Sequence, residues 1–241
     1  MNRFRYFYAF AVVSLALLPG CSSPHGQPEK GQEAIAPSQV SEFSVLYAEN
    51  CAGCHGAKGQ GGATVALADP VYLAIIDEST MRKVVTNGVH GTSMPAFAQS
   101  AGGMLTDKQI DVITAGIFSH WARKGILNGA NPPSYAAGTT GNVAPGEFVY
   151  GTYCASCHGP EGRGGPRGSA ITNDSFLALS SDQGLRTIVI TGRPELGAPD
   201  WRGNAPGKVM TGQEITDVVA WLASHRVENP GQPYSASNYA H

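Results

Sequence analysis

Charge is the scarcest property of this chain. Only 14% of its 241 residues are Asp, Glu, Lys or Arg, and the signs nearly cancel to a formal net charge of −2. A nucleic-acid partner needs a basic face to neutralise phosphates, and nothing in this composition supplies one. Strand signals are missing as well. No stretch alternates apolar and polar residues convincingly, which argues against a sheet protein. Cysteine is sparse, with five residues in all. Glycine (31) and proline (16) are plentiful, so many turns and short elements are expected. The length suits two domains of about 100 residues, and domains that small bury only modest cores of their own.

Residues 1–21 read as a lipoprotein-type signal peptide. Arg3 and Arg5 precede an apolar stretch from about Tyr6 to Leu18, too short and wrongly flanked for a spanning helix. Leu18-Pro19-Gly20-Cys21 resembles a bacterial lipobox, which makes Cys21 the expected lipidation site. An uncleaved anchor or an ordinary signal peptide is the alternative. Under either anchored reading the chain is exported and its folded part is held at a membrane on the periplasmic side, where several acyl chains make attachment stable. Residues 22–40 combine Pro, Gly, Gln and Ser with few apolar anchors and read as a flexible tether.

The remainder reads twice, over 41–127 and again over 145–229, with a Pro/Gly/Thr-rich linker at 128–144 and a short tail at 230–241. YAENCAGCHGAKGQGG (47–62) matches YGTYCASCHGPEGRGG (150–165), MRKVVTNG (81–88) matches LRTIVITG (185–192), and LTDKQIDVITAGIFSH (105–120) matches MTGQEITDVVAWLASH (210–225). Two repeats are too few for a solenoid, so tandem globular domains are expected. Each copy shows a short helical pattern before its cysteine pair and a middle helix around Met81–Val85 or Leu185–Ile190. Each closes with a helix opened by a capping box, Thr106 with Gln109 and Thr211 with Glu214. The apolar faces of these last helices are Ile110, Ile113 and Ile117, and Ile215, Val218, Val219 and Leu222. The expected class is all-α.

Cys51-Ala-Gly-Cys54-His55 and Cys154-Ala-Ser-Cys157-His158 are C-x-x-C-H sequences, the signature of c-type haem attachment. Two thiols at this spacing reach the two vinyl groups of one porphyrin, and the adjacent histidine is placed under the iron. A redox C-x-x-C pair would want a βαβ context, and a four-cysteine zinc site would leave both histidines unexplained. On CAGCHG, CASCHG, the Gly-rich loops after them, the Met-Pro of the first copy and the closing helices, each copy resembles a class I cytochrome c domain. That resemblance implies short helices around a covalently bound haem c in each copy, two in all. It also implies a first helix crossing the last, and a methionine as sixth ligand on the loop before the last helix.

In the first copy that methionine is Met94, in GTSMPAF, with Met104 and His90 as competitors; Met104 sits beside the capping box, where packing is its expected role. In the second copy Ala198 falls opposite Met94, Pro199 opposite Pro95 and Trp201 opposite Phe97. An alanine cannot bind iron. Met210 aligns with Leu105 and is either a buried apolar residue or a ligand reached by rearrangement, so the second iron is five-coordinate, water-bound or held by Met210. His120 and His225 close the last helices, where an imidazole suits the dipole. Glu195, Asp200 and Arg202 sit in a Gly/Pro loop and are expected to be solvated rather than an acid–base set. The chain therefore reads as a membrane-tethered dihaem carrier, with redox-protein partners: a membrane or periplasmic donor and a terminal oxidase or reductase. A cytochrome subunit of a larger oxidoreductase and small-ligand chemistry at an open second haem are the alternatives, and a stand-alone enzyme is less expected.

Overall fold

A computed structural model describes residues 34–230. The expected signal peptide, the expected lipidation site Cys21, most of the expected tether and nearly all of the C-terminal tail lie outside them. The chain divides into two compact units, 1–37 and 38–241. Of the first, only the exposed stretch 34–37 is described. The second unit holds both copies. Its helices are α1 (Phe43–Asn50), α2 (Ala52–His55), α3 (Pro70–Ile75), α4 (Glu78–Asn87) and α5 (Asp107–Trp121), then α6 (Val143–Tyr153), α7 (Ala155–His158), α8 (Asp174–Leu179), α9 (Asp182–Thr191) and α10 (Gly212–Ser224). Among the described residues the only β-type pairings are isolated bridges, so the class is all-α, in two tandem copies.

Local chemistry sets the starts of these helices. Asp69 accepts from the N–H groups of Val71 and Tyr72 with Pro70 in the first turn, and Asp77, Asn173 and Ser181 cap α4, α8 and α9 in the same manner. Both expected capping boxes are formed, by Thr106 and Gln109 on α5 and by Thr211 and Glu214 on α10. α4 and α9 both stop at a glycine with φ 68°, Gly88 and Gly192, where a Cβ would collide with the backbone of the loop that follows. The helices α3 and α8 carry the matching triplets Tyr72-Leu73-Ala74 and Phe176-Leu177-Ala178.

The first and last helices of each copy cross. On α5, Gly116 lies under the ring of Phe43 from α1, and a methyl there would strike that ring. On α6, Gly146 lies against the Asp217 carbonyl and the Trp221 side chain of α10. Tyr47 and Tyr150 fix the same region twice: each phenol O–H donates to a glycine carbonyl, Gly56 or Gly159, and each ring lies against a tryptophan, Trp121 or Trp221. The Ile110, Ile113 and Ile117 face of α5 and the Ile215, Val218 and Leu222 face of α10 are buried as their spacing predicts.

The two copies are packed together within this unit. From α3, Tyr72 and Leu73 enter the first core while Val71 enters the second. The linker is tied down rather than loose. The Arg186 guanidinium, 3% exposed, donates to the Ser134 and Tyr135 carbonyls and to Thr216 on α10, and Gln183 also donates to the Tyr135 carbonyl. At the front of the unit Gln109 donates to the Val40 carbonyl, so the last residues of the expected tether belong to the folded part.

Candidate haem crevices

The backbone around each C-x-x-C-H sequence is the same. The first cysteine ends α1 or α6 with φ −119°, ψ −36°, and the histidine closes a one-turn helix, α2 or α7. His55 Nδ1 stands 2.8 Å from the Val65 carbonyl and His158 Nδ1 stands 2.7 Å from the Ser169 carbonyl. A carbonyl can only accept, so Nδ1 carries the proton and Nε2 keeps its lone pair for a metal. Burial pushes the His55 pKa down against the pull of that hydrogen bond, which keeps the ring neutral. Burial, reinforced by the neighbouring thiol, pushes Cys51 up to about 11 and Cys154 up to about 12, so both are held as neutral thiols. All four of these cysteines are free of disulfides.

In the first copy Cys51, Cys54, His55 and Met94 open into one cavity of about 440 Å³. Its walls are apolar: Met81, Val84 and Val85 from α4, Ile113 and Ile117 from α5, and Phe97 from the loop. Histidine on one side, methionine on the ligand loop and two thiols at the rim suit a flat, apolar, iron-bearing macrocycle. Among the described residues no three His, Cys, Asp or Glu side chains converge on a point that could take a bare metal ion. His90 lines the same cavity, whereas Met104 is 83% exposed. The packing role expected of Met104 is thus corrected: the turn after Ala101 leaves its side chain in solvent.

The same cavity has a wall that the repeat comparison could not foresee. Ser180, Gln183, Thr187 and Ile188, on and just before α9 of the second copy, line it, as does Tyr135 of the linker, whose ring approaches Tyr72. Nothing local to those residues marks them for this role. A tyrosine inside a Pro/Gly-rich linker was the only available hint.

In the second copy Cys154, Cys157 and His158 are presented as in the first, and two backbone hydrogen bonds of the ligand loops correspond. Val89 N–H donates to the Met94 carbonyl at 3.0 Å, and Arg193 N–H donates to the Ala198 carbonyl at 2.9 Å. Leu105 N–H donates to the Phe97 carbonyl at 2.8 Å, and Met210 N–H to the Trp201 carbonyl at 3.1 Å. Met210 is 2% exposed, packed in the second core with its sulfur 3.8 Å from Asn204 Nδ2. His120 and His225 donate from Nδ1 to carbonyls one turn back, of Gly116 and Trp221, at their helix ends.

The charged residues of the second ligand loop keep part of their solvent exposure and are also paired. Arg193 pairs with Glu195 at 2.5 Å and also donates to the Gly62 carbonyl, beside the first haem motif. Arg202 pairs with Asp200 at 2.5 Å, lies over the Trp201 ring and reaches the Leu127 carbonyl. Arg193 and Arg202 thereby tie the loop across the seam between the copies.

Comparison with known proteins agrees with this geometry. The family model for cytochrome c oxidase, cbb3-type, subunit III matches the chain twice, over residues 38–115 and 141–222. A cbb3-type cytochrome c oxidase subunit CcoP of Azospirillum sp. (strain B510) is 36% identical over 129 residues, 49% of this chain and 38% of that protein. CcoP of Rubrivivax gelatinosus is 30% identical over 186 residues, 65% of this chain and 55% of that protein. The cytochrome bc1 complex cytochrome c subunit of Corynebacterium efficiens is 28% identical over 118 residues, 48% of this chain and 36% of that protein. The matched part is thus about half the length, or less, of these curated relatives. With two matches that together span most of the chain, each containing a C-x-x-C-H sequence, this is a c-type cytochrome of the cbb3-type cytochrome c oxidase subunit III family.

Proposed function

We propose that this chain, a member of a class that binds haem c covalently, carries two haems and transfers electrons between redox proteins outside the cytoplasm. One observation supports it above the others: the same Cys-x-x-Cys-His backbone is built twice, each time with histidine Nδ1 committed to a carbonyl. Cys51 and Cys54, and Cys154 and Cys157, are the thioether positions. His55 and His158 would each bind iron through Nε2, and Met94 would supply a thioether to the iron of the first site. When bound, the haem supplies a one-electron iron couple. The chain's own residues do the rest. Val65 and Ser169 hold the imidazoles in one tautomer, the α4 and α5 side chains keep water from the first site, and α9 closes its edge.

The family makes a bound cytochrome subunit of an oxidase or related complex as good a description as a free carrier. Attachment at the periplasmic face of a membrane through Cys21 is part of the same proposal; among the described residues no helix is long and apolar enough to cross a membrane. The test is a haem count and a redox titration on chain matured with haem, together with its fate in membranes. Two thioether-bound haems per chain and a Met94→Ala variant whose first haem falls in potential are expected. Axial ligands set haem potentials over about 0.8 V, so the fall should be plain. A single haem per chain sinks the dihaem reading. Co-purification with an oxidase or a quinol-oxidising complex separates subunit from carrier.

A further inference from the structure

We infer that the second iron has no protein ligand opposite His158 and is a binding site for a small neutral diatomic molecule, of the nitric oxide or carbon monoxide kind. The inference rests on the dihaem reading above and goes beyond it. The position that faces the first crevice with a thioether, Met94, is filled in the second copy by a methyl group. The correspondence is carried by backbone atoms rather than by alignment, since the Met94 and Ala198 carbonyls receive equivalent amide donors and pack on equivalent glycines, Gly88 and Gly192.

Met210 does not replace the missing sulfur. Its amide is tied to the Trp201 carbonyl, its side chain is enclosed in the second core, and Asn204 lies within reach of its sulfur. Nor is the loop free to bring another donor in. Arg193 ties it to the Gly62 carbonyl and Arg202 ties it to the Leu127 carbonyl, both outside the second copy. The second copy's other histidine, His225, spends Nδ1 on the Trp221 carbonyl at the end of α10.

The surroundings also limit what could bind. Trp201, 1% exposed and packed in the second core, takes the place of the half-buried Phe97 of the first crevice. The loop's carboxylates, Glu195 and Asp200, are each matched by an arginine, so neither is left unpaired to draw a cation. A neutral molecule of two atoms bonds ferrous iron without a change of oxidation state and needs no charged partner from the loop.

Carbon monoxide added to the reduced full-length holoprotein tests this by absorption spectroscopy. Half of the haem absorbance should shift, Met210→Leu should leave that half-shift in place, and Ala198→Met should abolish it. Met94→Ala should extend the shift to both haems, which keeps the test decisive if the Ala198→Met chain does not fold. No shift in the parent protein overturns the inference. So does a shift that appears only with Met210→Leu, because Met210 would then be the ligand. A pyridine haemochromogen count below two per chain would instead defeat the dihaem reading itself.

Discussion

Where the first and last helices cross, the two copies carry the same pair of sizes in opposite places. Phe43 lies over Gly116 in the first copy, and Gly146 lies against Trp221 in the second. Each crossing needs one large and one absent side chain, and the duplication has kept the need while exchanging the partners. The same contrast recurs one layer out. Arg82 on α4 makes exposed ion pairs with Asp107 and Asp111, whereas Arg186, at the equivalent place on α9, is buried among carbonyls and a threonine. Among the described residues no carboxylate stands within ion-pair distance of Arg186. A repeated backbone therefore does not fix what its positions do; the neighbour each copy meets decides that.

The sharpest way to break this comparison is to give the second copy the first copy's arrangement. Gly146→Phe should cost at least the ~3 kcal/mol upper end of ordinary overpacking, because the obstacle is the Asp217 backbone. Adding Trp221→Gly should recover part of the loss in denaturant midpoint; if the two losses simply add, the exchange reading is wrong. A smaller effect separates the arginines. Arg186→Leu should lower stability by about 3 kcal/mol by stranding the carbonyls it serves, while Arg82→Leu should barely move the midpoint. Smallest is the response of Asp69, whose pKa is raised by burial and by Glu195 and Asp200 across the seam, against two backbone donors. The folded protein thus holds this proton more tightly than the unfolded chain does. Its contribution is fullest below the ordinary carboxylate pKa and is lost as pH rises through the folded value. Asp69→Asn, which keeps a good helix cap, should be slightly the more stable protein at neutral pH, with the gap closing on acidification.

Much of this was legible in the sequence because it is local or repeated. Capping boxes, the apolar faces of α5 and α10, and both C-x-x-C-H motifs need only near neighbours, and Ala198 opposite Met94 needed only the second copy for comparison. What could not be read depends on contacts across the seam. Arg193, Arg202 and Asp200 look like ordinary loop charges until Gly62 and Leu127 stand beside them. Arg186 and Tyr135 are separated by half a copy in sequence and meet only after the linker docks. The exposure of Met104 was missed for a related reason: hydrophobicity predicts burial only where a neighbour arrives to provide it.

The wall that α9 lends to the first crevice also bears on how the molecule is made. A chain synthesised from its N-terminus offers Cys51, Cys54 and His55 well before residues 180–188 exist. Until those residues follow and dock, the first pocket is one side short and its mouth is open to whatever machinery must insert the macrocycle.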